Sequence, residues 1–271
     1  MNIYLILNTL SFLIFLQFVF ISIMEINRKG KLNRNLFLFS LLLTFLSYSF
    51  LTLIFLRSNI INDISLILYF CLSIILLIYL ICSLLDFSFI RMRLFFIPYF
   101  FIFIFLSILS FYFNENLNYL KFHFLENKLL GLHIIISFLS YSLLTVSCIS
   151  STVVLFQEKN LKNIFNTKIS FLKLFPSIYE GEKITIRLIF ITQFFLLMSL
   201  TSGFFYNKEF FGNQNFFTNE KILLSMITFI LISILLFVRY FYGLTGKKIF
   251  SIVLLSFLFI NFAYFGLKLI N

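Results

Sequence analysis

The chain has 271 residues, of which 61% are hydrophobic and 11% are charged. A soluble globular domain carries about 25% charged residues, and a single core in a chain of this length could not enclose so much apolar surface. The net charge of +11 does not indicate nucleic-acid binding, because the basic residues are spread over short connecting segments without a nucleic-acid-binding motif. The composition therefore predicts an all-α integral membrane protein.

Apolar residues occur in eight blocks, each about as long as an α-helix must be to cross the hydrocarbon of a bilayer. The first block has neither a basic start nor a small-residue cleavage site, so we expect a retained span and not a removed signal peptide. The connections are short and polar, except for residues 157–183, which are long enough for a small structure of their own. The predicted spans are 3–24, 36–56, 64–85, 94–113, 130–156, 184–206, 222–242 and 249–269.

Most of the Lys and Arg residues lie in every second connection, after the first, third, fifth and seventh spans. Cytoplasmic loops of membrane proteins are enriched in these residues, and there they also meet anionic lipid headgroups. We therefore predict that these four connections are cytoplasmic. Both termini are then expected on the opposite, periplasmic side.

Polar side chains in the fifth span recur at steps of three and four residues, which places them on one helical face. Ser and Thr are ordinary small residues at helix interfaces in membranes, so we interpret this stripe as a packing face that points into the bundle. Its members are His133, Ser137, Ser140, Tyr141, Thr145, Cys148, Ser151 and Thr152.

The two histidines of the chain are His123 and His133. His133 lies about one turn inside the outer end of the fifth span. A neutral imidazole can ligate haem iron, transfer a proton or hydrogen-bond a neighbour, and the residues alone favour a structural hydrogen bond over the other two roles. His123 lies in the preceding outer connection, where an isolated histidine is usually solvated.

The sequence contains no Walker A, HExxH, GxSxG or CxxC motif, so we predict no catalytic function. Cys71, Cys82 and Cys148 lack the spacing of metal ligands, and we interpret them as packing residues. The polar candidates in the middle of spans are the uncharged Gln193 and Asn261. A transporter is disfavoured because ion-coupled transporters carry buried charges along their pathway.

Four stretches in the second half of the chain form an ordered pattern. The first, LHIIISFLSYSLL at 132–144, places a histidine at the outer end of a helix and follows it with a Ser-Tyr pair. The other three are 176–206, with Pro176, Glu182, Lys183, Arg187 and Ser202-Gly203; 219–248, with Lys221, Ser225, Gly243, Gly246, Lys247 and Lys248; and 263–270, with Tyr264-Phe265-Gly266. In this order they resemble the cytochrome c assembly membrane proteins of the CcsA/CcmC/HemX type, most closely their YpjD-like subgroup.

The resemblance implies one integral membrane domain over residues 1–271, with four less recognisable spans in 1–113 and the family pattern in 114–271. In better-known members the helical bundle holds or passes haem at its outer face, through a Trp-rich outer loop and flanking histidines. His133 matches the first flanking histidine and is the implied axial ligand, with His123 a weaker candidate. Glu220 stands where many YpjD-like proteins carry a second histidine.

The segment that matches the Trp-rich loop is 204–219, and it contains no Trp. Four phenylalanines there could form a flat apolar surface, although the chain has 44 Phe and no Trp throughout, as an AT-rich genome would produce. These four are Phe210, Phe211, Phe216 and Phe217.

Three hypotheses remain. The leading one is a multi-pass protein of the bacterial inner membrane that binds or presents haem at the periplasmic face without bond chemistry of its own. Its expected partners are the bilayer, haem, and other membrane proteins of cytochrome maturation. The alternative is a haem-independent scaffold or accessory subunit that keeps the family fold, and the third, least favoured, is a small-molecule transporter.

Overall fold

The computed structural model describes residues 2–27, 33–58, 63–113, 128–162, 175–211, 220–243 and 246–266. The chain divides into two compact units, Met1–Phe122 and His123–Asn271. Eight of the described helices are long and apolar enough to cross a membrane. This confirms the predicted all-α polytopic fold with eight spans, while the sidedness of the termini stays a prediction.

The described residues of the first unit form four long helices and one short helix. α3 packs against α2 and α5, and α1 packs against α2. Aromatic rings fill much of its interior: Tyr79 of α3 stacks on Phe96 of α5 with ring centroids 4.1 Å apart, and both side chains are fully buried. The helices are α1 (Asn2–Asn27), α2 (Arg34–Ser58), α3 (Asp63–Leu85), α4 (Phe87–Arg91) and α5 (Arg93–Phe113).

The short helix α4 was not predicted, because five residues are too few to carry a periodic pattern. Asp86 caps it by accepting a hydrogen bond from the backbone N–H of Ser88 at 2.9 Å, as an N-cap residue does. Beside it, the Arg34 guanidinium at the start of α2 donates to the carbonyl of Leu84 at the end of α3, at 2.6 Å. α2 and α3 therefore run antiparallel.

The second unit contains α6 (Lys128–Lys162), α7 (Ile178–Phe211), α8 (Glu220–Tyr242) and α9 (Lys247–Asn261), and α9 continues into a π-helical turn, Phe262–Gly266. α6 packs extensively on α7, and α9 contacts both α6 and α8. Ser150 and Thr185 hydroxyls bond at 2.9 Å, which joins the second half of α6 to the start of α7. α6 and α7 are thus antiparallel, and so are α7 and α8, because Glu182 at the start of α7 lies 3.6 Å from Arg239 at the end of α8. We call the end where α6 and α8 begin the His133 end and the opposite one the Glu182 end.

α6 and α7 are longer than their predicted spans. The expected connection 157–183 is helical up to Lys162 and again from Ile178, and the expected outer segment 204–219 is helical up to Phe211. The prediction was wrong at these edges because a helix does not have to end where the apolar residues end. Lys, Glu and Gln are good helix formers, and they continue the helix once it reaches water or headgroups.

Burial around α6 is also wider than the single face predicted. Every residue from Ser140 to Ser151 is buried, including Ser142 and Ser147, which lie outside the predicted stripe. Their hydroxyls donate to the carbonyls of Phe138 and Leu144, both at 2.8 Å, so the polar groups are satisfied within the helix itself. This agrees with the packing interpretation of the stripe and extends it around the helix.

Candidate functional site

His133 lies near the start of α6 and faces the last turns of α7. Its Nδ1 atom is 3.1 Å from the backbone carbonyl oxygen of Ser199 and 3.1 Å from the Ser202 hydroxyl oxygen. The Ser202 hydroxyl in turn donates to the same Ser199 carbonyl at 2.9 Å. The imidazole is therefore held by a backbone group and a side chain of one neighbouring helix.

The partner of Nδ1 determines which ring nitrogen carries the proton. A backbone carbonyl can only accept a hydrogen bond, so the bond to Ser199 requires the proton of the neutral ring on Nδ1. Nε2 of His133 then keeps its lone pair. Within the described part of the chain no hydrogen bond reaches Nε2, which leaves this atom available to accept a proton or to ligate a metal.

Gly203 allows α7 to approach the imidazole closely. A Cβ built on Gly203 would lie 3.0 Å from Cε1 of His133, 3.3 Å from Nδ1 and 3.6 Å from Nε2. The ring therefore rests against the backbone of α7, in the space that any larger residue would fill. Close approach of this kind is a common use of glycine between membrane helices.

Apolar side chains follow directly on Gly203. Phe204 and Phe205 are 40% and 62% exposed, and their rings meet edge to face with centroids 6.1 Å apart. His133 itself is half-buried. The His133 end thus combines one oriented imidazole with exposed phenyl rings on the next turn of α7.

The other predicted site residues are only partly described. Glu220 is the first residue of α8, at the same end of the unit, and its side chain is exposed. His123, Phe216 and Phe217 lie outside the described residues. Phe210 and Phe211 are helical, but their side chains are outside the description, so the predicted apolar surface at 204–219 stays a prediction.

Among the described residues there is no group of three or more His, Cys, Asp and Glu that could hold a metal ion. Cys71 and Cys148 are buried and Cys82 is half-buried, all as free thiols, in keeping with their interpretation as packing residues.

Asn261, one of the two mid-span amides, joins α9 to α6. The hydroxyl of Tyr141, which is fully buried, donates to Asn261 Oδ1 at 3.0 Å, and Asn261 Nδ2 donates to the Phe257 carbonyl at 2.7 Å. Immediately after Asn261 the π-helical turn packs two rings against Tyr141, with centroids at 5.3 Å for Tyr264 and 5.8 Å for Phe265. These bonds fix the end of α9 two turns along α6 from His133.

Gln193, the other mid-span amide, joins α7 to α8. Its Nε2 donates to the Ser233 hydroxyl at 2.6 Å and lies 3.3 Å from the Phe229 carbonyl. Both mid-span amides that the sequence analysis singled out therefore form hydrogen bonds to neighbouring helices. Neither lines a charged pathway in the part of the chain that the structure describes.

At the Glu182 end the connection between α8 and α9 is held by a carboxylate of α7. Glu182 Oε1 accepts from the backbone N–H of Gly246 at 2.6 Å, and Oε2 lies 3.6 Å from the Arg239 guanidinium. Gly246 has a φ of +53°, and a Cβ there would overlap the Glu158 carboxylate. Glycine is therefore required at 246 both by the backbone and by the space around it.

Several of these partners were missed by the sequence reasoning. Ser199 acts through its backbone carbonyl, which no side-chain pattern can reveal. Ser202, Gly203, Glu182 and Gly246 were named as part of the family pattern, but their pairing was not. The signal that could have found them is the position of small or acidic residues at the ends of long apolar helices, where close approach and capping are concentrated.

Comparison with known proteins identifies the family. The sequence profile of the cytochrome c assembly protein family matches residues 35–271. The chain belongs to this family. The match begins in α2 and includes the whole second unit, so it reaches further than the pattern found from the sequence, which began near residue 130. The YpjD-like subgroup stays a prediction.

A relative of this cytochrome c assembly family protein occurs among curated proteins. It is an uncharacterized 28.8 kDa protein of Azospirillum brasilense, 27% identical over 145 residues, which are 52% of this chain and 51% of that protein. The chain spans about half the length of the relative. No solved structure matches the chain.

Proposed function

We propose that this cytochrome c assembly family protein binds or presents haem at the His133 end of its second unit, in a bacterial inner membrane, without bond chemistry of its own. One observation carries the proposal: Nδ1 of His133 is bonded to a carbonyl, 3.1 Å from Ser199, and Nε2 keeps its lone pair. Metal-ligating histidines characteristically donate their second ring N–H to a carbonyl or carboxylate. Haem iron, when bound, accepts two axial ligands, of which histidine is a common one.

The surrounding residues have separable tasks in this proposal. Ser199 and Ser202 hold the ring in one tautomer and one orientation. Gly203 leaves room for the ring to rest against the backbone of α7. The exposed rings of Phe204 and Phe205 offer apolar surface to a large planar ligand, which has to be shielded from water on at least one side.

The residues that could ligate haem iron fit the presentation of haem to another protein better than its storage. His133 is the one histidine in the described residues, and the other candidates, Glu220 and His123, are an exposed carboxylate and a residue outside the description. A single oriented imidazole leaves the second axial position open to exchange. We therefore expect haem to be held reversibly and passed to other membrane proteins of cytochrome maturation.

The experiment uses the protein in mild detergent, purified from haem-replete cells. We expect a Soret absorption band in the wild-type protein that is lost in His133→Ala. Ser142→Ala is the matched control, because Ser142 lies on the same helix and bonds within it to Phe138, and this variant should keep the band. Size-exclusion chromatography of all three proteins verifies that they are folded.

Two results would overturn the proposal: a wild-type protein without a Soret band even after haem is added, or a His133→Ala variant that keeps the band unchanged. The first favours the alternative, a haem-independent scaffold or accessory subunit. Two features of the chain favour that alternative, the lack of Trp and a carboxylate at Glu220 where many YpjD-like proteins carry histidine.

A further inference from the structure

One face of α7 is exposed along most of the length of the helix. Its members follow one another at steps of three and four residues, which places them in a single row, and every one of them is exposed. Two of them are positively charged, and apolar side chains follow these two directly. The row consists of Tyr179, Lys183, Arg187, Phe190, Phe194, Leu197 and Thr201, and we call it the exposed row of α7.

The length of the apolar stretch places the two charges at the edge of the hydrocarbon. Residues 188–206 of α7 contain no charged side chain and rise by about 28 Å, which is close to the hydrocarbon thickness of about 30 Å. Arg187 therefore stands at one edge of this layer, and Lys183 lies one turn further out, among the lipid headgroups. Phe190 lies one turn further in, beside the acyl chains of the same leaflet.

The two charges are not neutralised within the described part of the chain. Neither Lys183 nor Arg187 forms an ion pair with a carboxylate there. The acidic residues at this end of α7 have other contacts: Glu180 takes part in the cap of its own helix, and Glu182 holds the connection between α8 and α9. Two positive charges one turn apart, with about 6 Å between their Cβ atoms, attract an anion.

The apolar part of the exposed row selects an anion that has an apolar tail. Phe190 and Phe194 are 67% and 58% exposed, and they lie within the hydrocarbon, where a water-soluble anion or an acidic protein segment does not enter. Guanidinium and ammonium groups form charge-assisted hydrogen bonds to phosphate oxygens. A phospholipid carries a phosphate and acyl chains in the same order as the charges and rings of the row.

We propose that the exposed row of α7 binds an anionic phospholipid. Its phosphate lies between Lys183 and Arg187, and an acyl chain lies along Phe190, Phe194 and Leu197. The distance along the helix from Arg187 to Leu197 is about 15 Å, half of the hydrocarbon thickness of about 30 Å, so the chain of one leaflet fits the row. A zwitterionic phospholipid is attracted less, because its own ammonium group offsets the charge of the phosphate.

The site is separate from the proposed haem function, since it uses none of the residues at the His133 end. Lys183 and Arg187 were part of the sequence pattern in the second half of the chain, and haem binding gives them no task. The proposal assigns them one, the choice of the lipid that contacts α7.

A tryptophan at position 190 reports on the lipid at the site. The chain contains no Trp, so Phe190→Trp introduces a single fluorophore, and brominated lipids quench it on contact. The full-length protein is placed in bilayers that mix phosphatidylglycerol and phosphatidylcholine, with one of the two brominated at a time. Each basic residue near an anionic lipid surface contributes about 1 kcal/mol, and about 1.4 kcal/mol is a tenfold change in affinity. We therefore expect a preference for phosphatidylglycerol of about 30-fold, which Lys183→Gln/Arg187→Gln removes.

Two controls separate the site from general effects of the bilayer and of charge. Ile234→Trp reports from α8, where Ile234 is 50% exposed and lies at a similar depth, since the neighbouring Ser233 bonds Gln193 of α7; it should show no preference. Lys247→Gln/Lys248→Gln removes two exposed charges from α9 at the same end. In the Phe190→Trp background this double variant should keep the preference.

Three results would overturn the proposal. Equal quenching by the two lipids at Trp-substituted Phe190 would leave the charges to another anion, such as an acidic segment of a partner protein. An equal loss of preference in both double variants would make it a property of net charge. Displacement of the brominated lipid by glycerophosphoglycerol, the headgroup without its chains, would show that the apolar rings contribute nothing.

Folding is verified separately from lipid preference. Size-exclusion chromatography and quenching by brominated phosphatidylcholine establish that each variant is folded and embedded in the bilayer. If Lys183→Gln/Arg187→Gln does not fold, Arg187→Gln alone replaces it. This single variant should lower the preference about 5-fold, from the loss of about 1 kcal/mol, and an unchanged preference would equally overturn the proposal.

Discussion

Replacement of Gly203 by alanine tests whether the imidazole is held against α7 as described. The new Cβ would lie 3.0 Å from Cε1 of His133 and 3.3 Å from Nδ1, whereas carbon atoms in contact are about 3.5–4.0 Å apart. The ring must therefore retreat by about 0.5 Å or more. Its Nδ1 is already 3.1 Å from the Ser199 carbonyl, so the retreat weakens that hydrogen bond.

The expected magnitude follows from three contributions. Overpacking costs about 1–3 kcal/mol, and the weakened hydrogen bond costs about 0.5–1.5 kcal/mol. Alanine at this position stabilises the helix by about 1 kcal/mol relative to glycine, because it is the better helix former. Gly203→Ala should therefore lower the free energy of unfolding by about 2 kcal/mol.

The assay is a double-mutant cycle with His133→Ala, measured by unfolding in a single detergent. Without the ring, Gly203→Ala meets no obstacle, and it should be neutral or stabilise the protein by up to about 1 kcal/mol. Because the chain has two histidines, nitrogen NMR of histidine-labelled protein also reports the tautomer of each. Equal destabilisation by Gly203→Ala in both backgrounds would refute the close contact.

Three further variants probe neighbouring features. Ser202→Ala should cost about 0.5–1.5 kcal/mol of unfolding free energy and leave the proton of His133 on Nδ1, since the Ser199 carbonyl remains; histidine NMR showing the other tautomer would contradict this. Gly246→Ala should lower the midpoint of thermal unfolding more than Gly243→Ala. Both glycines have a positive φ, +53° at Gly246 and +62° at Gly243, but only a Cβ at Gly246 would overlap a carboxylate. Equal losses of stability would count against that clash. Tyr141→Phe should cost about 0.6 kcal/mol, the average for a hydrogen bond between membrane helices, and at most about 1.7 kcal/mol; an unchanged stability would show that its bond to α9 is not formed.

The spans could be predicted because the bilayer imposes one requirement on all of them. Each must present about 20 apolar residues with every backbone group bonded internally, and this requirement is visible in a single sequence. The ends of α6 and α7 could not be predicted in the same way. Beyond the hydrocarbon the helix continues for reasons of propensity and capping, such as the reciprocal bonds between Ser177 and Glu180 at 3.1 and 3.2 Å.

The candidate site was predictable in its central residue and not in its environment. His133 is conspicuous because histidine is rare in the chain and sits inside a span. Its partners are 66 and 69 residues away in the sequence, and they depend on the packing of two helices. Asn8, an amide in the apolar first span whose Oδ1 accepts a hydrogen bond from the Tyr69 hydroxyl at 2.9 Å, carried a comparable signal that the sequence reasoning overlooked.

The length of α7 has a consequence for how the two ends of the second unit respond to their surroundings. Its 34 residues span about 51 Å, whereas the hydrocarbon layer is about 30 Å thick, so part of the helix stands among headgroups or in water. The overhang that carries Glu182 bonds Arg239 as an ion pair, while the bonds of His133 join neutral groups. Ionic strength therefore acts selectively, because added salt screens the charge pair at one end and leaves the imidazole at the other end unaffected.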